Sequence, residues 1–480
     1  MKKIILFAII FLFQISLAQN ERVAAIGNPS IAFKDFDLDL NLYDFGNNYA
    51  WLIEDHTFDI LYIRPSIYFL SGDYRRFYDP EKSFKYLLSF DGTKILKDGA
   101  FRGYVIYEIE NRVNVNRALS RYPYNGVPFR MTDTTTGDFL YNGPRVGFQY
   151  SFTPVRDFYV GLDLNYQIVD GLKNIYSRAK SLWRNIDGSL NLAYKFSDDF
   201  VVGGKLTLLD NKEFIEAKSE DLFDAEIFNF RGDTYAFRRR SQTVSQTYRE
   251  KLNRYDLTAI ISPFQDLKIG LKGNYLNSNL KTQFPYGTLK EYEEGHTVFE
   301  DYGSTVRVHY TPIKNLILGL EGSFDNYSSW SRVSETTLMI WKWNIKTLTI
   351  GSGASYKLSS IPLVMVYELK SGRIKSDSSK YIDNYFSKYD KPFYSFILGS
   401  EYEVFEKIFI RAGFNYSKFG FDVIRGGNDV ITNQFSAGIG LYNFKSLQID
   451  YYISYAIQSN SIEQKNYFLN SQLNIKVFNY

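Results

Sequence analysis

Residues that could carry enzyme chemistry are few in this chain of 480 residues. It has three histidines, His56, His296 and His309, and no cysteine, which excludes thiolate nucleophiles, disulfides and thiolate metal sites. No serine stands in a Gly-x-Ser-x-Gly arrangement, and the Glu293-Glu294 pair lies in a polar stretch where solvated carboxylates are the simplest interpretation. The sequence therefore predicts that the protein is not an enzyme and has no catalytic residue, metal site or cofactor.

One enzymatic alternative remains open, a membrane-barrel hydrolase with serine and histidine on the barrel exterior. His309 is its candidate, because it is the only histidine that falls within a predicted strand, residues 297–310.

Strands with a period of two run through the chain, as the segment 447–458 shows. On one face lie Leu447, Ile449, Tyr451, Ile453, Tyr455 and Ile457. On the other lie Gln448, Asp450, Tyr452, Ser454, Ala456 and Gln458, because successive side chains of a strand point to opposite faces. The same alternation recurs in 158–168 and 408–417. One lipid-facing and one water-facing side is typical of a closed antiparallel transmembrane β-barrel, with a soluble β-sandwich or propeller as the alternative.

Charged residues in these strands alternate with apolar ones. Those predicted to face the interior are Asp163, Asp187, Lys195, Lys268, Lys272, Glu321, Asp325, Arg411 and Asp450. A lysine or arginine on the lipid side costs about 2 to 4 kcal/mol at the membrane midplane, which favours the inward assignment. Cross-strand ion pairs are the first interpretation. The second is that Arg411 contacts a substrate carboxylate, since a guanidinium group matches that geometry.

Short polar connections alternate with long ones and give a strand count. The short ones are 153–156, 197–199, 262–265, 311–314, 359–360, 405–407 and 443–445, and the long ones include 115–142, 212–242 and 375–392. Each of the seven short turns joins two strands in a hairpin. One further strand at each end of this series brings the count to about 16, in a range of roughly 14 to 18. An even number places both termini on the side of the short turns, which is periplasmic in this class of barrel.

The first 18 residues combine a basic start, an apolar run and a small-residue cleavage signal, so they predict a signal peptide. Together with the strands they predict a protein of the bacterial outer membrane, with outer-membrane lipid, lipopolysaccharide and the barrel-assembly machinery as partners. The net charge of +3 falls to +1 if Lys2 and Lys3 are removed with the signal peptide, and this near-neutral balance argues against nucleic acid. Arg238-Arg239-Arg240 is interpreted either as a solvated loop or as a contact for lipid phosphates.

Residues 19–55 do not alternate and predict a packed segment ahead of the barrel, which is assigned to 56–480. This segment is either a periplasmic leader or a short hatch inside the bore.

Four stretches carry a family resemblance: Ala-Ile-Gly-Asn-Pro-Ser-Ile-Ala-Phe at 25–33, Asn-Leu-Tyr-Asp-Phe-Gly at 41–46, Asn48-Tyr49-Ala50, and Ile-Arg-Ala-Gly-Phe-Asn-Tyr at 410–416. They resemble the FadL-like outer-membrane barrels, whose hatch typically carries Asn-Pro-Ala. Tyr49 stands where the family has proline, so the kink that proline would impose is absent.

The resemblance implies that Asn48, Tyr49 and Ala50 form a hatch motif and that the protein takes up hydrophobic small molecules such as long-chain fatty acids. A related branch of the family serves as a subunit of a protein-export system in Bacteroidetes-like bacteria. The alternative is therefore a barrel subunit of an export or surface-assembly system with no transport activity of its own.

Overall fold

The computed structural model describes residues 40–55, 59–220, 225–286, 289–358, 360–422, 427–444 and 446–478. The predicted signal peptide, the first part of the predicted hatch segment and His56 lie outside the described residues.

Strands make up almost all of the described chain. Their bounds are β1 Ile60–Gly72, β2 Lys82–Leu96, β3 Gly99–Ala118, β4 Phe129–Val155, β5 Phe158–Lys173, β6 Lys180–Ser197, β7 Phe200–Lys218, β8 Ile227–Arg231, β9 Tyr235–Arg239, β10 Thr243–Phe264, β11 Leu267–Tyr286, β12 Leu289–Ile313, β13 Leu316–Val333, β14 Met339–Lys357, β15 Leu363–Lys380, β16 Tyr385–Phe405, β17 Ile408–Phe421, β18 Asn428–Phe444, β19 Leu447–Ser459 and β20 Lys465–Phe478. A 3-10 turn, Tyr49–Trp51, and a short α-helix, Leu52–Asp55, precede them. No helix in the described ranges is long and apolar enough to cross a membrane.

The sheet closes on itself. Every strand except β8 and β9 pairs antiparallel with its neighbours in the wall, and β7 pairs directly with β10. The first strand pairs with the last from Ile60↔Phe478 to Gly72↔Asn466, interrupted only at Arg64 and Pro65. Closure matters because a sheet edge in lipid leaves backbone N–H and C=O groups without partners.

The predicted fold class, a closed antiparallel barrel, is confirmed, and its 18 strands lie at the upper limit of the predicted range. The preferred count was too low because the two-residue turn at Lys97-Asp98, between β2 and β3, was missed. The predicted long loops were also too long. Residues 129–142 belong to β4 and 212–218 to β7, because these strands continue beyond the apolar band.

Large apolar side chains form a band on the outer surface. Members of this band are Leu162, Leu190, Leu257, Leu271, Val306, Leu320, Ile350, Leu398, Ile410, Ile439 and Ile453. Each is more than a third exposed to solvent, and each alternates along its strand with an inward-facing residue. A water-soluble protein rarely exposes so large a contiguous apolar surface, so this band is the part of the wall that contacts lipid.

The barrel has two unlike ends. At one end, called the turn end here, two-residue connections such as Arg156-Asp157 join the strands, and both β1 and β20 have their outer termini there. At the other end, called the loop end, most connections are longer, and the β8–β9 hairpin belongs to it.

The seam between β1 and β20 offers a direct test of closure. Ile67 and Ser471 are partners in the ladder, and the chain has no cysteine of its own. We expect Ile67→Cys/Ser471→Cys to form an intramolecular disulfide in the detergent-solubilised protein, because ladder partners bring their Cβ atoms within reach. Peptide mapping without reduction measures it.

Ile67→Cys/Asn470→Cys is the matched control, since neighbouring residues of a strand point to opposite faces. A seam that stays unlinked in the first variant would contradict the closed barrel.

Candidate functional site in the barrel interior

The inner wall is polar, as the alternation predicted. All the charged residues assigned to the interior lie on the inward side, opposite exposed apolar residues of the same strands. Arg411 is 2% exposed and Asp163 is 6% exposed, which reflects packing inside the bore. The bore therefore contains polar groups that need partners, and protein segments supply many of them.

Residues 40–55, called the hatch segment here, lie against this inner wall near the turn end. They contact the inward faces of β3 to β7 and β10 to β12. Their apolar side chains pack on the wall, and Leu40, Leu42, Phe45 and Ala50 form one buried cluster with Tyr159 and neighbouring residues. The described part of the hatch segment thus occupies the side of the bore formed by these strands.

Glycines in the wall make room for the hatch segment. A Cβ atom at Gly161 would lie 2.4 Å from the Ala50 backbone nitrogen, and one at Gly203 would lie 2.5 Å from Asn48 Nδ2. At Gly270 a Cβ would lie 2.8 Å from side-chain carbons of Leu40 and Phe45. A glycine inside a strand often marks such a close approach.

Asn48 connects the hatch segment to the wall through its side chain. Its Oδ1 accepts a hydrogen bond from the Ala50 backbone N–H at 3.0 Å, which caps the helical turn. Its Nδ2 donates to the backbone carbonyls of Leu192 at 3.0 Å and Gly204 at 3.1 Å. The side chain is 1% exposed. Without a proline at position 49, this cap is what orders the turn.

The other two residues of the predicted motif also face the wall. The Tyr49 backbone N–H donates to Asn191 Oδ1 at 3.2 Å, and Lys205 Nζ lies 4.1 Å from the centre of the Tyr49 ring. The Ala50 carbonyl accepts a hydrogen bond from Ser151 Oγ at 2.5 Å. All three motif residues therefore contact strands that are more than a hundred positions away in the chain.

Tyr43 carries a second polar connection between the hatch segment and the wall. Its hydroxyl donates to Gln149 Oε1 at 3.2 Å and accepts a hydrogen bond from Arg102, which is paired with Asp91. Burial raises the pKa of the Tyr43 phenol far above its usual value, although the Arg102 charge opposes the shift. The hydroxyl therefore stays protonated and remains a donor.

Arg411 is bound by its own wall. Its Nε lies 2.6 Å from Glu401 Oε2, its Nη1 lies 2.6 Å from Asp450 Oδ1, and its Nη2 donates to the Tyr442 hydroxyl at 2.5 Å. The side chain is fully buried. This arrangement is the cross-strand pairing that the sequence allowed. A substrate carboxylate would have to displace Glu401 or Asp450, so the suggested substrate contact stays a prediction.

His309 does not lie on the exterior, as the hydrolase alternative required. It is paired with Lys268 and Gly319 on the inward side and is 3% exposed. Its description as the only histidine on a strand was also incorrect, because His296 lies on β12 as well.

A second insert closes the loop end. It consists of residues 119–133 and the β8–β9 hairpin at 227–239, and is called the mouth cap here. Within it, residues 119–128 enter the bore, where Glu213 accepts three hydrogen bonds: from Ser120 Oγ at 2.7 Å, from the Arg121 backbone N–H at 2.6 Å and from Ser181 Oγ at 2.7 Å. Glu213 thus ties the cap to β6 and β7.

The rest of the mouth cap reaches the far wall. The loop-end part of β4 leaves the barrel ladder and pairs with β8, from Phe129↔Arg231 to Asp133↔Ile227. Arg231 Nε lies 3.1 Å from Glu294 Oε1 on β12. At the tip of the hairpin, the backbone N–H groups of Asp233 and Thr234 each donate to Asp383 Oδ1 at 2.8 Å, in the β15–β16 connection. The cap therefore spans the mouth.

Beneath residues 119–128 of the mouth cap lies a pocket of about 70 Å³, called the chamber here. It is lined by Tyr122, Asn125, Trp183, Asn211, Glu213, Tyr248, Glu250, Leu280 and Phe299. Four of these side chains are aromatic and two are carboxylates. Glu250 accepts a hydrogen bond from Ser278 Oγ at 2.6 Å and a longer one from Asn211 at 3.4 Å. The chamber can thus offer both apolar faces and hydrogen-bond acceptors.

Sequence reasoning singled out Asn48, Tyr49 and Ala50 but missed the chamber and the glycines that face the hatch segment. Isolated glycines inside strand patterns, such as Gly161 and Gly203, are the signal that could have found those contacts. No local signal identified Glu213, because its partners Ser120 and Ser181 lie 93 and 32 positions away in the chain.

The fold and the interior define the class: an outer-membrane β-barrel with an inner hatch segment and a mouth cap. Residues 49–329, more than half of the chain, match a family described as a family of unknown function (DUF6850), and the chain belongs to that family. No curated protein shows significant sequence similarity to it.

Solved structures of similar fold include several outer-membrane proteins. The copper transporter OprC has a TM-score of 0.50 at 11% identity, over 85% of this chain and 62% of that one. The siderophore receptor PiuA from Acinetobacter baumannii gives a TM-score of 0.44 at 10% identity, over 87% of this chain and 82% of that one. A FadL homologue from Pseudomonas aeruginosa gives 0.40 at 10% identity, over 96% of this chain and 98% of that one. At such low identity, the likeness to OprC concerns the fold alone.

Gly161 provides a test of the hatch contacts. We expect Gly161→Val to displace the hatch segment, because its Cβ would meet backbone atoms of Tyr49 and Ala50 that cannot rotate away. Amide hydrogen exchange in residues 40–55 should become at least about tenfold faster, equivalent to roughly 1.4 kcal/mol of lost contact.

Gly204→Val is the control, since a Cβ at Gly204 would meet nothing within 4 Å. Equal exchange rates in the two variants would show that the wall does not hold the hatch segment through Gly161.

The Arg411 cluster provides a test of the wall. Arg411→Met leaves Glu401 and Asp450 buried without their cation, which we expect to destabilise the barrel by about 3 to 5 kcal/mol. Urea unfolding in detergent micelles, followed by tryptophan fluorescence, measures the change.

Arg373→Met is the comparison, because Arg373 is 60% exposed beside an exposed Asp390 and solvent screens such pairs. If both variants unfold at the urea concentration of the parent protein, the buried cluster contributes nothing to stability.

Proposed function

We propose that the protein is an outer-membrane channel for passive uptake of small hydrophobic molecules, and that the chamber is where the molecule is held. The observation that carries the proposal is the chamber lining, in which aromatic rings and two carboxylates face one space inside a closed barrel. A pocket with an apolar lining and a few well-placed polar groups is the usual form of a small-molecule site.

The lining favours a particular kind of molecule. Tyr122, Trp183, Tyr248 and Phe299 offer ring faces and edges to an apolar or aromatic body. Glu213 and Glu250 accept hydrogen bonds, so the molecule should carry a hydroxyl or amino donor. We therefore propose an amphipathic substrate with an aromatic or aliphatic body and a neutral or cationic polar group.

A long-chain fatty acid, which the FadL resemblance implies, suits this lining less well. Its carboxylate would lie near Glu213 and Glu250, and like charges repel strongly where water is scarce.

Entry and exit require movement of the mouth cap, whose residues Tyr122 and Asn125 line the chamber, and a route past the hatch segment. From the loop end, the ties of the mouth cap to the far wall at Asp383 and Glu294 have to open. Towards the turn end, the substrate passes the hatch segment, which is held by Asn48 and Tyr43. The contacts of the hairpin tip with Asp383 are exposed and cheaper to open than a buried core, so we propose the cap as the outer gate.

The orientation follows from the general form of such barrels, in which short turns face the periplasm and long loops face outside. We propose that the turn end, with both termini, is periplasmic and that the mouth cap faces the exterior. Contact with outer-membrane lipid and insertion by the barrel-assembly machinery belong to the same proposal.

Binding measurements with three probes test the substrate class. The probes are a primary arylalkylamine, a neutral aromatic alcohol of the same size, and oleate, titrated against the purified protein in a nonionic detergent. We expect the first two to bind, and Glu250→Gln to weaken the amine about tenfold or more, because a hydrogen bond to a charged group contributes about 1.5 to 3 kcal/mol. The neutral alcohol should be affected much less.

Glu300→Gln is the matched control, since Glu300 lies on the same barrel but faces outward, next to Asn277. Tight binding of oleate without binding of the amine would contradict the proposed substrate class. Proteoliposomes loaded with protein should admit the bound probes faster than empty vesicles. If no probe enters the vesicles, the proposed transport function is wrong, and the alternative of an export or assembly subunit without transport is favoured.

A further inference from the structure

Charged side chains also occur on the outer face of the barrel, where lipid is the neighbour. Arg184 on β6, Lys212 on β7 and Arg249 on β10 are successive partners in the ladder, Arg184↔Lys212 and Lys212↔Arg249. Lys251 lies one outward position further along β10 and is paired with Asp210. These four cations and Asp210 are called the outer basic patch.

The outward orientation of the patch follows from its neighbours. Leu182 and Ile186 flank Arg184 on the same face and are 42% and 37% exposed. Leu208 and Phe214 flank Asp210 and Lys212 on the same face of β7 and are 54% and 37% exposed. The charged residues of the patch therefore lie between apolar side chains that face lipid on the same strands.

The charges of the patch do not balance. Asp210 is shared between Arg249 at 3.1 Å and Arg184 at 3.5 Å, and no other carboxylate belongs to the patch, so its net charge is +3. Like charges placed opposite each other across strands are destabilising. The Arg184 Nε–H group has no hydrogen-bond partner among the described residues. The patch therefore has more cations than carboxylates.

We infer that the outer basic patch binds the headgroup of a phosphorylated glycolipid of the outer leaflet, the lipid A part of lipopolysaccharide. Arginine and lysine bind phosphate oxygens, and the apolar residues on both sides suit acyl chains. Three neighbouring strands space the cations over about 10 Å, which suits two phosphates on one headgroup better than a single phosphate. This inference goes beyond the transport proposal and shares with it only the outward placement of the loop end.

The energetics point to the same location. An arginine or lysine on the lipid face costs about 2 to 4 kcal/mol at the midplane but only about 0 to 1 near an interface. A patch with three uncompensated charges is therefore stable only near headgroups, and an anionic headgroup lowers its free energy further. Arg238 and Arg239, in the sequence-based candidate for phosphate contact, lie in the mouth cap, where Arg238 pairs with Glu226 and Arg239 lies over the Phe284 ring of β11.

The test uses the full-length protein refolded in detergent, with bisphosphorylated lipid A as the probe. Lys212→Ser/Arg249→Ser/Lys251→Ser removes three cations of the patch and leaves the chamber untouched. Lipid retained after gel filtration is quantified by mass spectrometry, and heat-modifiable migration in SDS gels confirms that each variant is folded. We expect retention to fall at least about tenfold, or roughly 1.4 kcal/mol.

The matched control is Arg373→Ser/Lys375→Ser/Lys388→Ser, which removes three outer cations that have carboxylates beside them, Asp390 and Asp377. Its retention of lipid A should stay within about twofold of the parent. Unchanged retention in the patch variant, or an equal loss in the control, overturns the inference.

Binding and competition experiments with other anions distinguish the possible sources of the phosphate group. Phosphatidylglycerol bound as tightly as lipid A would overturn a glycolipid site in favour of a general anionic surface. Displacement of lipid A by millimolar inorganic phosphate would overturn it in favour of a free-phosphate site. Weaker retention of monophosphorylated than of bisphosphorylated lipid A supports the two-phosphate contact, and equal retention contradicts it. None of these outcomes depends on whether the chamber binds a substrate.

Discussion

The structure depends on one constraint: a strand in lipid must pair both of its edges, because the hydrocarbon offers no hydrogen-bond partners to free backbone groups. The wall satisfies this constraint by closing β1 onto β20. Closure with 18 strands has a consequence for the interior, since barrels of that size enclose more space than their own side chains can fill. The hatch segment and the mouth cap occupy part of that space, so they follow from the size of the wall.

Wall and inserts are matched to each other at particular residues. Gly161 and Gly203 lack side chains where Ala50 and Asn48 approach, while Gly204, next to Gly203 on the same strand, faces the outside and meets nothing. The polar groups are matched as well, since Glu213 receives three donors from the cap and the wall together. A buried carboxylate that lost these donors would be costly, so the cap and the wall stabilise each other.

The two faces of the wall deal with charge in opposite ways. Inside, cations are paired within the protein, as Arg411 is with Glu401 and Asp450. Outside, the patch around Lys212 keeps a surplus of positive charge beside apolar residues. The argument that lipid-facing charge is expensive correctly placed the interior residues, and the outer basic patch, one of several charged groups on the outer face, is where we propose that an anionic headgroup changes the balance.

The sequence by itself determined the fold class and the direction in which most side chains point, because the period of two is a local property that any strand displays. It also located Asn48, Tyr49 and Ala50 in a segment unlike the barrel. It could not determine the strand number, since the turn at Lys97-Asp98 has too little local signal. Only the tertiary structure decided which residues meet across the bore, such as Glu213 with the mouth cap. Such contacts join positions that are distant in the chain, and they depend on how the closed wall curves, which no local pattern encodes.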